Sequence, residues 1–119
     1  MKISSDFWVG VPVEKMARWQ AAFDRQSDVF VTVPCPVCGE LGLRQYYHLE
    51  KDELKELRGR AFIGRGSYWA WCANCGTYEH ASSFVPADWS GIALPVNHAA
   101  LTPLPTELEV AVLALQSRT

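Results

Sequence analysis

Cys35-Pro36-Val37-Cys38-Gly39 and Cys72-Ala73-Asn74-Cys75-Gly76 hold all four cysteines of this 119-residue chain in one repeated form. Thirty-three residues, 39–71, separate the two pairs. Two residues between cysteines let one tight turn aim both sulfurs at a common point, and Zn²⁺ takes a tetrahedron of such thiolates. A glycine after the second cysteine suits a backbone that turns at φ > 0 and brings N–H groups near a thiolate. One pair alone carries little weight. Two matched pairs predict a single zinc site with ligands Cys35, Cys38, Cys72 and Cys75, closing two turns against each other. Four thiolates leave no open ligand position, so the metal is expected to be structural.

Two other uses of the cysteines compete. Disulfides suit small secreted domains, but Met1 to Asp6 is polar and no apolar stretch of signal-peptide type follows. The chain is therefore expected to be cytoplasmic, where thiols stay reduced. Redox chemistry is suggested by Trp71-Cys72-Ala73-Asn74-Cys75, which resembles the Trp-Cys-x-x-Cys of thioredoxins. In that family the pair opens a helix, which lowers a thiol pKa. Here Gly76 to His80 reads as turn then strand, and the first pair would go unexplained.

About half of the residues are apolar, with five Trp, five Phe and four Tyr, so the chain is globular rather than disordered. Its length suits one domain, residues 1–119, with a modest core helped by a metal staple. No apolar run approaches a membrane span. Net charge is −2, and a bound Zn(Cys)₄ centre would take it to about −4. That balance makes nucleic acid an unlikely partner, since such binders carry a basic patch and a high pI. The negative excess lies in residues 81–119, where Asp88, Glu107 and Glu109 face only Arg118.

Phe7 to Val11 has the composition of a short strand. Pro12 and Glu14 then suit a helix start, and Met16, Trp19 and Phe23 recur at helical spacing, which predicts an amphipathic helix over 12–26. Val29, Val31 and Val33 alternate with Phe30 and Thr32, predicting a strand into the first pair, with Leu43 to Leu49 returning. These strands open a ribbon core over 28–84. Residues 50–66 form an insertion: the charges and the Leu54/Leu57 spacing of Glu50–Arg58 suit a short helix ended by Gly59, a strand being the alternative. Ser67 to Trp71 and Thr77 to Val85 read as strands flanking the second pair. After a proline-punctuated loop, Thr106-Glu107-Leu108-Glu109 is a capping box opening a helix over 106–117.

Two hairpins pinned by one metal resemble a zinc ribbon, over Val29–Cys38 and Tyr68–Phe84. The resemblance implies an α+β domain, a zinc-ribbon-like antiparallel β-sheet with flanking N- and C-terminal helices. It leaves activity open, because ribbons serve in transcription factors, ribosomal proteins, enzymes and adaptors. More loosely, residues 69–89, with Trp69, Trp71, Tyr78 and Trp89, look like small bacterial immunity proteins encoded beside polymorphic toxins. That likeness implies a protein partner, a toxin domain, held by acidic and aromatic contacts. Candidates are Glu53, Glu56, Asp88, Trp89, Glu107 and Glu109. A nucleic-acid-binding ribbon using Arg58, Arg60 and Arg65 is the second reading. Lys51–Glu56 next door, with Glu53 and Glu56, offsets that basic cluster. A thiol-redox or metal-dependent enzyme is the third. His48 and His80 read as surface histidines or groups beside the metal ligands. Glu79 and His80 would point to opposite faces of a strand, so they form no dyad.

Overall fold

The computed structural model describes residues 3–117. A four-stranded mixed sheet runs in the order β1-β4-β3-β2, with β1 at Val9–Gly10, β2 at Leu43–Leu57, β3 at Arg60–Cys72 and β4 at Thr77–Pro86. Helix α1, Met16–Phe23, covers one face and α2, Thr106–Gln116, the other. The α+β, zinc-ribbon-like architecture expected from the sequence is therefore present. One edge departs from it, because β1 pairs parallel to β4 rather than antiparallel.

The sheet is built around one long hairpin. β2 and β3 pair from Leu43↔Cys72 to Leu57↔Arg60, joined by Arg58 and Gly59 alone. Both turn residues have positive φ, 51° and 79°, the geometry whose twist matches a two-residue hairpin. Glycine supplies the second position freely, and an arginine takes the first. The helix expected over Glu50–Arg58 is thus the outer half of a strand. Tertiary pairing overrides its helix-forming composition. Register shifts at Leu49/Lys51 and Asp52/Lys55 bend this arm.

Two further expectations are corrected. The N-terminal helix is shorter than 12–26: Val13–Lys15 is a 3-10 turn and only Met16–Phe23 is α-helical, with Arg25 at φ 61° just beyond its end. Residues 28–33 are not a strand. Phe30 makes an isolated bridge to Arg44, and the Gln45 side-chain amide donates to the carbonyls of Gln26 and Asp28. Backbone pairing of this segment with β2 is confined to Val31 N–H donating to Leu43 O at 3.2 Å and Gln45 N–H donating to Val29 O at 2.9 Å. The Gln45 side chain satisfies carbonyls that face away from that ladder. Val29 and Val31 consequently join different cores.

Alternation along β2 and β3 sorts those cores. Tyr46, Trp69 and Trp71 pack with Leu108, Ala111 and Val112 on the α2 face. Leu43, Ala70 and Cys72 pack with Trp19 and Phe23 on the α1 face. The capping box does not form. Thr106 Oγ1 accepts from the Trp8 indole at 2.8 Å, and Glu109 turns inward, so both residues serve long-range bonds instead.

Candidate metal centre

Each cysteine pair occupies a turn of the same construction. Gly39 N–H donates to Cys35 O at 2.8 Å and Gly76 N–H to Cys72 O at 3.0 Å, and both glycines have φ 79°. At Gly76 a side chain would also strike the Phe7 carbonyl oxygen. Pairing of Leu43 with Cys72 places the two turns side by side, tied by Ala73 N–H to Gly42 O at 2.8 Å.

The four Sγ atoms lie within 4.8 Å of one another, with Cys35–Cys75 at 3.9 Å and Cys38–Cys72 at 3.8 Å. A tetrahedron with metal–sulfur bonds of about 2.3 Å has edges of about 3.8 Å, so the donor set fits Zn²⁺. All four cysteines are free thiols. Among the described residues this is the group of Cys, His, Asp and Glu side chains assembled closely enough to hold a metal ion.

The surroundings suit bound thiolates. Cys35 and Cys72 are buried against Trp19, Phe23 and Val31, whereas Cys38 and Cys75 are half-buried. Burial pushes the thiols of Cys35 and Cys72 up, which favours their protonated form until a metal displaces the protons. At Cys38 burial is outweighed: hydrogen bonds from the Asn74 side chain and the Glu40 backbone bring it down to about 7. Val37 N–H donates to Cys35 Sγ at 3.4 Å and Asn74 Nδ2 to Cys38 Sγ at 3.3 Å. The Thr77 hydroxyl lies 3.2 Å from Cys75 Sγ. Such contacts orient metal ligands.

Comparison of the chain with protein-family models, curated proteins and solved structures finds no match. The domain is a compact, aromatic-rich, four-cysteine module consistent with a protein-binding zinc ribbon. No helix among the described residues is long and apolar enough to cross a membrane.

The remaining candidates are dispersed. Glu107 and Glu56 are exposed, while Glu53 and Trp89 are half-buried, Trp89 edge-on to Tyr46 and Tyr47. Asp88 is exposed and pairs with Arg60 at 3.7 Å. Glu109, expected at the surface, is 3% exposed. Its Oε1 accepts from Trp71 Nε1 at 2.8 Å and from Arg44 Nε at 3.3 Å. The basic residues separate too. Arg58 and Arg60 line a cleft of about 520 Å³ with Arg25, Asp24 and Asp88, while Arg65 lies over the Phe84 ring.

Neither His48 nor His80 joins the metal group. His80 Nδ1–H donates to Tyr68 O at 3.1 Å, and its ring lies against Trp69. His48 stacks on His98 at 4.1 Å, whose Nε2 meets the Tyr46 hydroxyl at 2.7 Å. Glu79 and His80 do point to opposite faces, paired with Ala70 and Trp69. Sequence reasoning missed Arg44, Tyr46 and His98. Only the Thr106-x-x-Glu109 pattern carried a signal, and it pointed to a local cap.

Proposed function

We propose that this chain is a protein-binding zinc-ribbon domain, specifically an immunity protein that neutralises a cognate bacterial toxin by covering its active site. It works in the cytoplasm and uses its single zinc ion for structure alone. The observation that carries a protein partner is the hairpin arm. Beyond the Phe62↔Pro86 pair no third strand among the described residues joins the arm, and it presents Leu54 at 87% exposure and Leu57 at 42%. Its charge is nearly balanced, with five basic and four acidic side chains over residues 50–65. Exposed apolar anchors within a charge-neutral frame suit a protein surface better than a phosphate backbone. The nucleic-acid reading weakens for the same reason, since Asp24 and Asp88 offset most of the charge of Arg25, Arg58 and Arg60 in the cleft they share. The toxin assignment adds the loose likeness over residues 69–89 and the exposed carboxylates Asp88, Glu56 and Glu107, which would steer a basic partner.

The test is co-expression with the product of the adjacent reading frame. Stoichiometric co-purification and rescue of growth are expected, and Leu54→Lys should weaken both at least about tenfold without lowering zinc content. Growth arrest that persists despite abundant, zinc-loaded protein would sink the immunity reading. Retention on RNA or DNA that falls steeply with salt would favour the nucleic-acid alternative.

A further inference from the structure

The two edges of the sheet are treated differently. Past Gln45 the outer edge of β2 runs into Lys51, Asp52, Glu53, Lys55 and Glu56 and is broken by two register shifts, devices that block strand addition. On β4, Ala81-Ser82-Ser83-Phe84 is uncharged, and the register with β3 is unbroken from Trp71↔Tyr78 to Gly64↔Val85. Val9 N–H donates to Gly76 O at 2.9 Å and Val11 N–H to Tyr78 O at 3.2 Å. Even-numbered residues of β4 therefore turn their backbone groups away from β3. Pro12 has no N–H and the chain leaves in a 3-10 turn, so β1 stops after two residues. The outward N–H groups of His80, Ser82 and Phe84 then lie on an open edge, and His80 and Ser82 are exposed.

We propose that this edge, His80–Phe84, receives an extended segment of a partner protein, uncharged at its centre and carrying a carboxylate beside Phe84. The proposal rests on the protein-binding reading above. The carboxylate follows from charge. Lys55 Nζ sits 4.8 Å and Arg65 Cζ 5.1 Å from the Phe84 ring centroid, and both side chains are exposed. The ion pairs among the described residues are Arg44–Glu109 and Arg60–Asp88, so neither cation is spent on a carboxylate. A second copy of this chain fits less well. Antiparallel pairing about Ser82 would set His80 of one copy beside Phe84 of the other, under two cations and with no acid facing them. Main-chain bonds would supply affinity, and the two cations the choice of partner.

The experiment titrates isotope-labelled, zinc-loaded protein with capped octapeptides of alternating Thr and Val, ended on both sides by Glu or by Lys. The Glu-ended peptide should shift and protect the amides of His80, Ser82 and Phe84, and bind about fivefold tighter than the Lys-ended one. Arg65→Glu, which leaves the backbone intact and offsets the charge of Lys55, should erase that preference. Ser82→Pro removes an outward N–H while keeping the ladder to β3, and should abolish binding at unchanged zinc content. Shifts at Tyr47 and Leu49 instead, no binding at millimolar peptide, or equal binding of both peptides would overturn the proposal. So would protection of His80–Phe84 that rises with protein concentration in the absence of peptide, since that marks a second copy. Neutralisation of a toxin while these amides exchange as in the free protein would remove the edge site and keep the immunity reading. Peptide binding here without neutralisation would do the reverse.

Discussion

The two faces of the sheet each bury tryptophan, but they hold it by different means. On the α2 face the indole N–H groups of Trp8, Trp69 and Trp71 donate to Thr106 Oγ1, Thr102 O and Glu109 Oε1. On the α1 face Trp19 is fully buried and its Nε1 is without a hydrogen-bond partner. That face relies on the four-cysteine group, on apolar packing and on the buried Gln45 amide, bonded to the Tyr68 hydroxyl and to the carbonyls of Gln26 and Asp28. The other ties each of its buried indoles to a polar partner. A metal-held core tolerates an unsatisfied donor costing about 1–3 kcal/mol.

The contrast can be broken most severely at the metal. Chelation of zinc, or Cys72→Ser, should remove most of the folding free energy, which for a domain of this size is about 5–15 kcal/mol. Circular dichroism and zinc stoichiometry would fall together, and a fully folded metal-free protein would show that packing alone sustains the α1 face. Next comes Glu109→Ala on the other face, which strands the Arg44 guanidinium and the Trp71 indole. Breaking a buried pair in this way costs about 3–5 kcal/mol, read from urea unfolding at saturating zinc. A loss within surface-mutation range would mean that water replaces the carboxylate.

A smaller effect distinguishes two like substitutions. Trp71→Phe leaves a buried carboxylate oxygen short of a donor, while Trp19→Phe removes an orphan N–H along with some ring volume. The first should cost more than the second by about 1–2 kcal/mol. Equal costs would erase the distinction between the faces. The smallest effect is that of pH. Burial, and then the neighbouring His48, hold His98 below its ordinary value. The folded protein thus binds fewer protons there than the unfolded chain, so stability is full above pH of about 6.5 and declines as pH falls below it. Melting at pH 7 and 5.5, with zinc retention checked, should show a drop that His98→Asn reduces.

The same contrast explains what could be read from the sequence. The metal side was legible because a tetrahedral thiolate site demands a fixed local pattern, and Cys-x-x-Cys-Gly supplies it twice. The strands beside it were legible from alternation in Ser67–Trp71 and Thr77–Val85. The outer arm was not, because Lys51 to Leu57 has helical composition and only its pairing with Arg60–Arg65 makes it a strand. The α2 face was misread at its entry. Thr106 and Glu109 match a local cap, but their partners, Trp8 and Trp71, lie far away in sequence. No window around residue 106 contains that information.

Arg58 and Gly59, folded back on themselves at the end of the arm, bear on how strongly the four-cysteine group would hold a metal ion. Were residues 39–71 a free linker, the two half-sites would have to find each other by diffusion, and the chelate effect would be diluted by that search. A two-residue reversal with both φ angles positive lets the ladder zip towards Leu43 and Cys72, so four donors arrive as one multidentate ligand. Substituting a β-branched residue at either turn position would therefore register as faster metal loss at the opposite end of the ribbon.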